Sequence, residues 1–101
     1  MKTEKLLQRD GAADIKFSGR VLAKASSQED KGRWTELALY RTEGGKYVCH
    51  SIGRTMWAGE HDRHAADVCE TTDGVIEFFG HGWLAKEIYF QAGIDATVRV
   101  D

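Results

Sequence analysis

Five side chains in the middle of the chain have the right types for chemistry: Cys49, His50, His61, His64 and Cys69. Thiolate and imidazole are the usual zinc ligands, and a structural zinc takes about four of them at C-x₂₋₄-C or H-x₃₋₅-H spacing. No cysteine pair here has that spacing, and His61 with His64 falls one residue short of the histidine gap. Cys49 and His50 are adjacent, so on a strand they point to opposite faces and cannot share one ion. No metal site and no cofactor are therefore expected, with His61, His64 and Cys69 the best-placed donors. A cysteine nucleophile needs a histidine within hydrogen-bond reach and a third group to orient it. Cys49 with His61 or His64 would meet that need only if the fold brought them together. The plainer reading makes Cys69 a small buried hydrophobe and leaves the loop histidines solvated. No phosphate-binding loop, nucleophile elbow or dinucleotide fingerprint is present. Carboxylates are plentiful, but none forms a pair that sequence can localise.

The element that must position Cys49 and His50 is the stretch Trp34 to Arg54, which reads as one β-hairpin. Two alternating runs flank Glu43-Gly44-Gly45-Lys46, and the paired glycines supply the positive φ of a tight turn. A two- or four-residue loop would pair odd positions with even ones. Leu37 and Leu39 would then share a face with Val48, His50 and Ile52, leaving Trp34, Glu36, Ala38, Tyr40, Tyr47, Cys49 and Ser51 opposite. A three- or five-residue loop would break that match. A histidine on an apolar sheet face is either a hydrogen-bonded core residue, a rim residue or a buried titrating group.

Upstream, Asp14 to Lys24 alternates as a half-buried strand, with Ile15, Phe17, Val21 and Ala23 facing one way. Leu22 breaks the polar side, and Gly19 marks either a bulge or a place of close packing. Residues 1–12 read as an edge strand or a frayed terminus, and Ala25 to Arg33 as a polar loop. Downstream, Met56 and Trp57 sit in a polar loop of about ten residues, where they either tack it to the core or form a recognition patch. Ala65 to Thr71 alternates and is read as a strand, with a helix as the alternative. Thr72 or Asp73 caps a first helix carrying Val75, Ile76, Phe78 and Phe79, stopped by Gly80. Trp83 to Ala92 is a second helix, with Leu84, Ile88 and Ala92 on one stripe. Gly93 and Ile94 are placed for a Schellman-type end. Ala96 to Val100 is β-branched enough for a last edge strand.

Strands followed by helices predict a single α+β domain over residues 1–101. Its antiparallel sheet has three to five strands, and the two short C-terminal helices pack on one face. A chain of 101 residues buries roughly two-thirds of its unfolded surface, enough for one core without disulfides. No apolar run approaches the roughly 20 residues of a membrane span, and the N-terminus has no signal-peptide h-region, so a cytoplasmic protein with reduced cysteines is expected. Net charge is −2, which disfavours nucleic acid as a partner. The charge is uneven: residues 1–59 hold eleven basic against seven acidic side chains, and residues 60–101 hold three against nine. Either the halves lie against each other, or one face meets a charged partner.

Tyr40-Arg41-Thr42 with Gly45-Lys46-Tyr47-Val48, then Gly80, Trp83-Leu84-Ala85-Lys86-Glu87-Ile88-Tyr89 and Ala92-Gly93-Ile94-Asp95, resemble the bacterial EXLDI protein family over residues 38–95. The C-terminal Glu-x-Leu-Asp-Ile signature of that family corresponds here to Val98-Arg99-Val100-Asp101, which lacks the glutamate and the final isoleucine. The resemblance implies a small bacterial cytoplasmic protein and carries no activity or site residue with it. With no catalytic motif and with Trp34, Tyr40, Tyr47 and Trp57 in or near the hairpin, the sequence favours a non-catalytic protein-interaction or regulatory module. Its partner would be another protein or a second copy of the chain, met through those four aromatics. The alternative is a small enzyme or metal-binding protein using Cys49, His50, His61, His64 and Cys69.

Overall fold

A computed structural model describes residues 4–27 and 32–100 of the chain. One antiparallel sheet runs in chain order, β1 (Glu4–Leu7), β2 (Ile15–Ser26), β3 (Arg33–Thr42), β4 (Tyr47–Thr55) and β5 (Arg63–Cys69). Two helices follow, α1 (Thr72–Phe79) and α2 (Trp83–Ala92), to give the expected α+β fold. Ala65 to Thr71 is indeed strand for most of its length. No helix among the described residues is long and apolar enough to cross a membrane. Of the expected polar loop 25–33, residues 28–31 lie outside the described residues, while Ala25 and Ser26 prolong β2.

Only one glycine of the Gly44-Gly45 pair takes a positive φ, Gly45 at 86°. The turn is therefore not the two-glycine type that needs φ > 0 at both central positions. Thr42 N–H donates to the Lys46 carbonyl at 2.8 Å and Gly45 N–H to the Thr42 carbonyl at 3.0 Å, leaving Glu43, Gly44 and Gly45 as a three-residue loop. An odd loop pairs like parities: Leu39 faces Cys49, Ala38 faces His50 and Tyr40 faces Val48. This corrects the expected face assignment. Leu37 and Leu39 share their side with Tyr47, Cys49 and Ser51, while Trp34, Glu36, Ala38 and Tyr40 share theirs with Val48, His50 and Ile52.

A second parity change lies in β2, where Val21 pairs with Tyr40 but Ala23 pairs with Leu39, so Leu22 is a bulge residue. The single face expected for Ile15, Phe17, Val21 and Ala23 is thereby split. Ala23 joins the helix side, Ile15 and Phe17 pack on the other, and Val21 is left exposed. Gly19 answers to close packing, because a Cβ there would collide with the Arg41 carbonyl oxygen and lie 2.9 Å from the Thr42 Cα. The bend at these residues folds the β1–β2 end across the sheet. Beyond β1, Asp10 reaches β5: its N–H donates to the His64 carbonyl and its Oδ2 accepts the His64 N–H, both at 2.9 Å. The N-terminal arm thus links β2 to β5 and half-closes the sheet into a trough.

Both helices lie on the convex side, α1 against β4 and β5, α2 against β2 and β3. Val75, Leu84, Ala85, Ile88 and Tyr89 meet Ala23, Leu37, Leu39 and Cys49 there, and Leu39, Cys49, Val75 and Ile88 are fully buried. The first helix is entered at Thr71 rather than Thr72 or Asp73, with no side-chain cap bond, and Gly80 ends it at φ 79°. The second ends as its sequence foretells. Gly93 is left-handed at φ 71°, and the Ile94 N–H returns to the Tyr89 carbonyl at 2.9 Å. Gln91 brackets the main chain of Lys24, accepting from its N–H at 3.0 Å and donating to its carbonyl at 2.8 Å, which covers the free edge of β2. The last strand expected at Ala96–Val100 does not form. Asp95 Oδ1 takes the Thr97 N–H at 3.0 Å and its hydroxyl at 2.6 Å in a local turn, and Val98 and Val100 are exposed.

Candidate functional site

Alternation along β3 and β4 aims Glu36, Ala38, Tyr40, His50, Ile52 and Arg54 into the trough on the side away from the helices. β2 adds Lys24 and Ser26, and β1 adds Leu7. Deep in the trough, Leu7, Ala38, Tyr40, Val48 and Ala66 form a second small core, with Ile15 and Phe17 against it. Nearer the mouth, the packing stops and a hollow of about 410 Å³ remains. That size lies within the range of small-molecule sites, which favour the mouths of barrels.

Two polar groups open on this hollow from its floor. Tyr40 is 7% exposed, its ring edge-on to Phe17 at 5.3 Å with the Lys5 ammonium 5.6 Å from its centre. Its hydroxyl has no hydrogen-bond partner among the described residues, and burial raises its pKa. His50 is 6% exposed, with Nε2 3.5 Å from Nδ1 of His64 and the two rings nearly parallel. Burial, then His64 and Arg54, lowers the His50 pKa, so the ring is neutral at pH 7. No fully sealed side-chain N or O among the described residues lacks a partner. The Tyr40 hydroxyl and the second His50 nitrogen are therefore not sealed off, and both residues line the hollow.

Ion pairs frame the mouth. Arg54 Nε lies 3.2 Å from Glu36 Oε1, and Arg54 Nη1 lies 3.0 Å from Asp62 Oδ2. Glu36 Oε2 accepts from the Trp34 indole at 2.8 Å, and Asp62 Oδ1 from the Thr55 N–H at 3.1 Å. The Trp34 hydrogen bond is the main cause holding Glu36 below its ordinary pKa, with Arg54 adding to it against burial. Lys24 makes no ion pair among the described residues. A larger recess of about 1000 Å³ lies across the same end of the sheet, near Trp83, Arg33 and Glu60. Arg33 is matched there with Glu60 and Arg54 with Asp62, Arg63 makes no ion pair among the described residues, and neither Tyr40 nor His50 lines this recess.

The aromatics expected to share one contact surface are dispersed. Trp34 and Tyr40 belong to the trough, and Tyr40 is buried there. Tyr47 lies on the helix side, stacked by the Arg41 guanidinium 4.4 Å above it, with Arg41 Nη1 donating to its hydroxyl at 2.5 Å. Trp57 sits in the β4–β5 loop over Gly32, and with Met56 it is exposed, not tacked into the core. The thiols and imidazoles are divided by the sheet. Cys49 and Cys69 stand 3.9 Å apart on the helix side, where burial pushes the Cys49 thiol far above its ordinary pKa and leaves it a poor nucleophile. His50 and His64 meet on the other side, and His61 is on the exposed loop. Among the described residues no three His, Cys, Asp or Glu side chains are grouped to hold a metal ion.

Ala38 and Ile52 escaped the sequence reading as site residues. Their signal was present, since an odd hairpin loop alone would have set Ala38, His50 and Ile52 on one face. Fold and hollow together define an α+β protein whose curled sheet keeps one side for its helices and one side open. No protein-family model, curated protein or solved structure matches the chain.

Proposed function

We propose that this protein is a non-catalytic module that binds a small molecule in the trough, the body of the ligand lying against Leu7, Ala38 and Ile52. The observation that carries this reading is the unfilled 410 Å³ hollow lined by Tyr40, whose hydroxyl has no partner among the described residues, and by His50, which is paired on one side only, through Nε2 to His64. A buried hydroxyl without a partner, beside an imidazole with one nitrogen still open, is costly in an apolar site and gains most when a ligand pairs it. Catalysis is disfavoured because the thiols lie across the sheet from the imidazoles. The setting we assign is the bacterial cytoplasm, consistent with two thiols close together and unbonded. The test is fluorescence titration with 1-anilinonaphthalene-8-sulfonate. Ile52→Trp and, separately, Ala38→Leu should weaken binding at least tenfold, while Trp57→Ser leaves it intact. Dye binding indifferent to both fillings would end the proposal.

A second reading, docking of a protein or of another copy of the chain, is favoured by exposed apolar groups elsewhere. Trp83 and Phe90 stand one heptad apart on α2, 69% and 84% exposed, and Trp57 is 55% exposed. Sedimentation of the native chain and of Phe90→Lys separates the readings, since only self-association through α2 makes the two differ.

A further inference from the structure

We propose that the ligand is a small monocarboxylate with a compact apolar body, its anion seated over Ala38 between Lys24 and His50. This rests on the trough being a ligand site and adds the chemical class. The register places Lys24, Ala38 and His50 in one row across β2, β3 and β4. The middle residue of that row is the smallest side chain able to form a floor, so the cation and the imidazole flank open space. The next row, Ser26, Glu36 and Ile52, continues the floor toward the mouth.

The hydrogen-bonding inventory of the site then decides the sign of the ligand. Its acceptors are largely taken. Glu36 receives Arg54 on one oxygen and Trp34 on the other, and Asp62 receives Arg54 and the Thr55 amide. What remains free is donor capacity: the three hydrogens of the Lys24 ammonium, which has no ion pair among the described residues, and the Arg54 hydrogens not directed at Glu36 or Asp62. An amine would meet the unpaired Lys24 ammonium and carboxylates already engaged by Arg54. A carboxylate supplies the acceptors the site lacks and pairs the unmatched Lys24 charge one to one. Below it, the Tyr40 hydroxyl can donate and accept, and His50, whose Nε2 faces His64, offers Nδ1 as one donor or one acceptor according to its tautomer, which suits a hydroxyl or carbonyl on the body of the ligand. Leu7 and Ile52 supply the apolar walls.

The experiment is an amide chemical-shift titration of the ¹⁵N-labelled full chain with phenylacetate, phenylacetamide and phenethylamine. Phenylacetate is expected to shift residues 36–40 and 48–54 saturably, at a concentration at least tenfold below that of the amide, with the amine weakest. Lys24→Gln, a change on an exposed side chain, should erase most of the tenfold advantage and leave amide binding unaltered. Equal or tighter binding of the amide or the amine overturns the carboxylate assignment while the ligand site stands. An advantage that survives Lys24→Gln overturns it as well. If none of the three compounds moves these residues, the carboxylate assignment fails; if the dye also ignores both fillings, the ligand site itself fails with it.

Discussion

The two sides of one sheet are built from adjacent residues and end in opposite states. On the convex side Leu39, Cys49, Val75 and Ile88 are fully buried under two helices. On the concave side the opposite-facing residues of the same strands, Ala38, His50 and Ile52, line a hollow that the N-terminal arm covers only in part. The difference lies in what each side is asked to bury. Aliphatic stripes on α1 and α2 can fill the first, whereas β1 brings a single buried leucine to the second. One side is a core and the other a container.

Substitutions that distinguish the sides scale accordingly. The largest effect is expected at Ile88, where Ile88→Ala removes a fully buried side chain from the helix interface and should cost about 2–5 kcal/mol by urea denaturation. A cost near zero would mean the helices are not what stabilises the sheet. Enlarging a residue on each side sharpens the contrast. Cys49→Leu overfills a packed site and should cost about 1–3 kcal/mol, while Ile52→Trp grows into space and should cost less than that. Comparable penalties would show that the hollow is closed in solution. Next is the closure itself. Asp10→Ala removes the carboxylate bond to the His64 amide, with an expected loss of about 1 kcal/mol and faster hydrogen exchange at His64.

Acid should weaken the concave side before the convex one. The folded state holds the His50 pKa below its ordinary 6.5, so the unfolded chain binds the proton more readily. Stability is therefore unaffected above that value and falls as pH drops through it toward the lower folded pKa. The carboxylates Glu36, Glu60 and Asp62, all held below their ordinary values, add their own losses only at more acidic pH. Denaturation midpoints at pH 7.5 and 5.5 check this: His50→Gln should be flatter over that interval than the native chain. The smallest expected change is Lys24→Gln, within about 0.5 kcal/mol of native stability.

Much of the fold was legible in the sequence because its signals are local. The second helix is delimited by its own apolar stripe and by Gly93, and it runs over the expected residues. The strand at 63–69 and the α+β order also follow from local pattern. The site was not legible, because it depends on two parity decisions made by single residues. Gly44 looks equivalent to Gly45, yet only Gly45 turns left-handed, and that one loop residue moves His50 and Ile52 away from Leu37 and Leu39. Leu22 looks like a lapse in alternation, yet as a bulge it transfers Ala23 to the helix side. The arm from Asp10 to His64 spans 54 positions and leaves no periodic trace. The final run Ala96–Val100 shows the reverse failure, a strand-like composition that finds no neighbouring edge.

The central claim is that the open side of the sheet, and not the exposed aromatics of α2 and the β4–β5 loop, is where this protein meets its ligand. A shift map of the labelled chain against a mixed library of small aromatic and aliphatic compounds tests it directly. Saturable shifts concentrated at residues 24–26, 36–40 and 48–54 are expected. Shifts gathered instead around Trp57, Trp83 and Phe90 would contradict it.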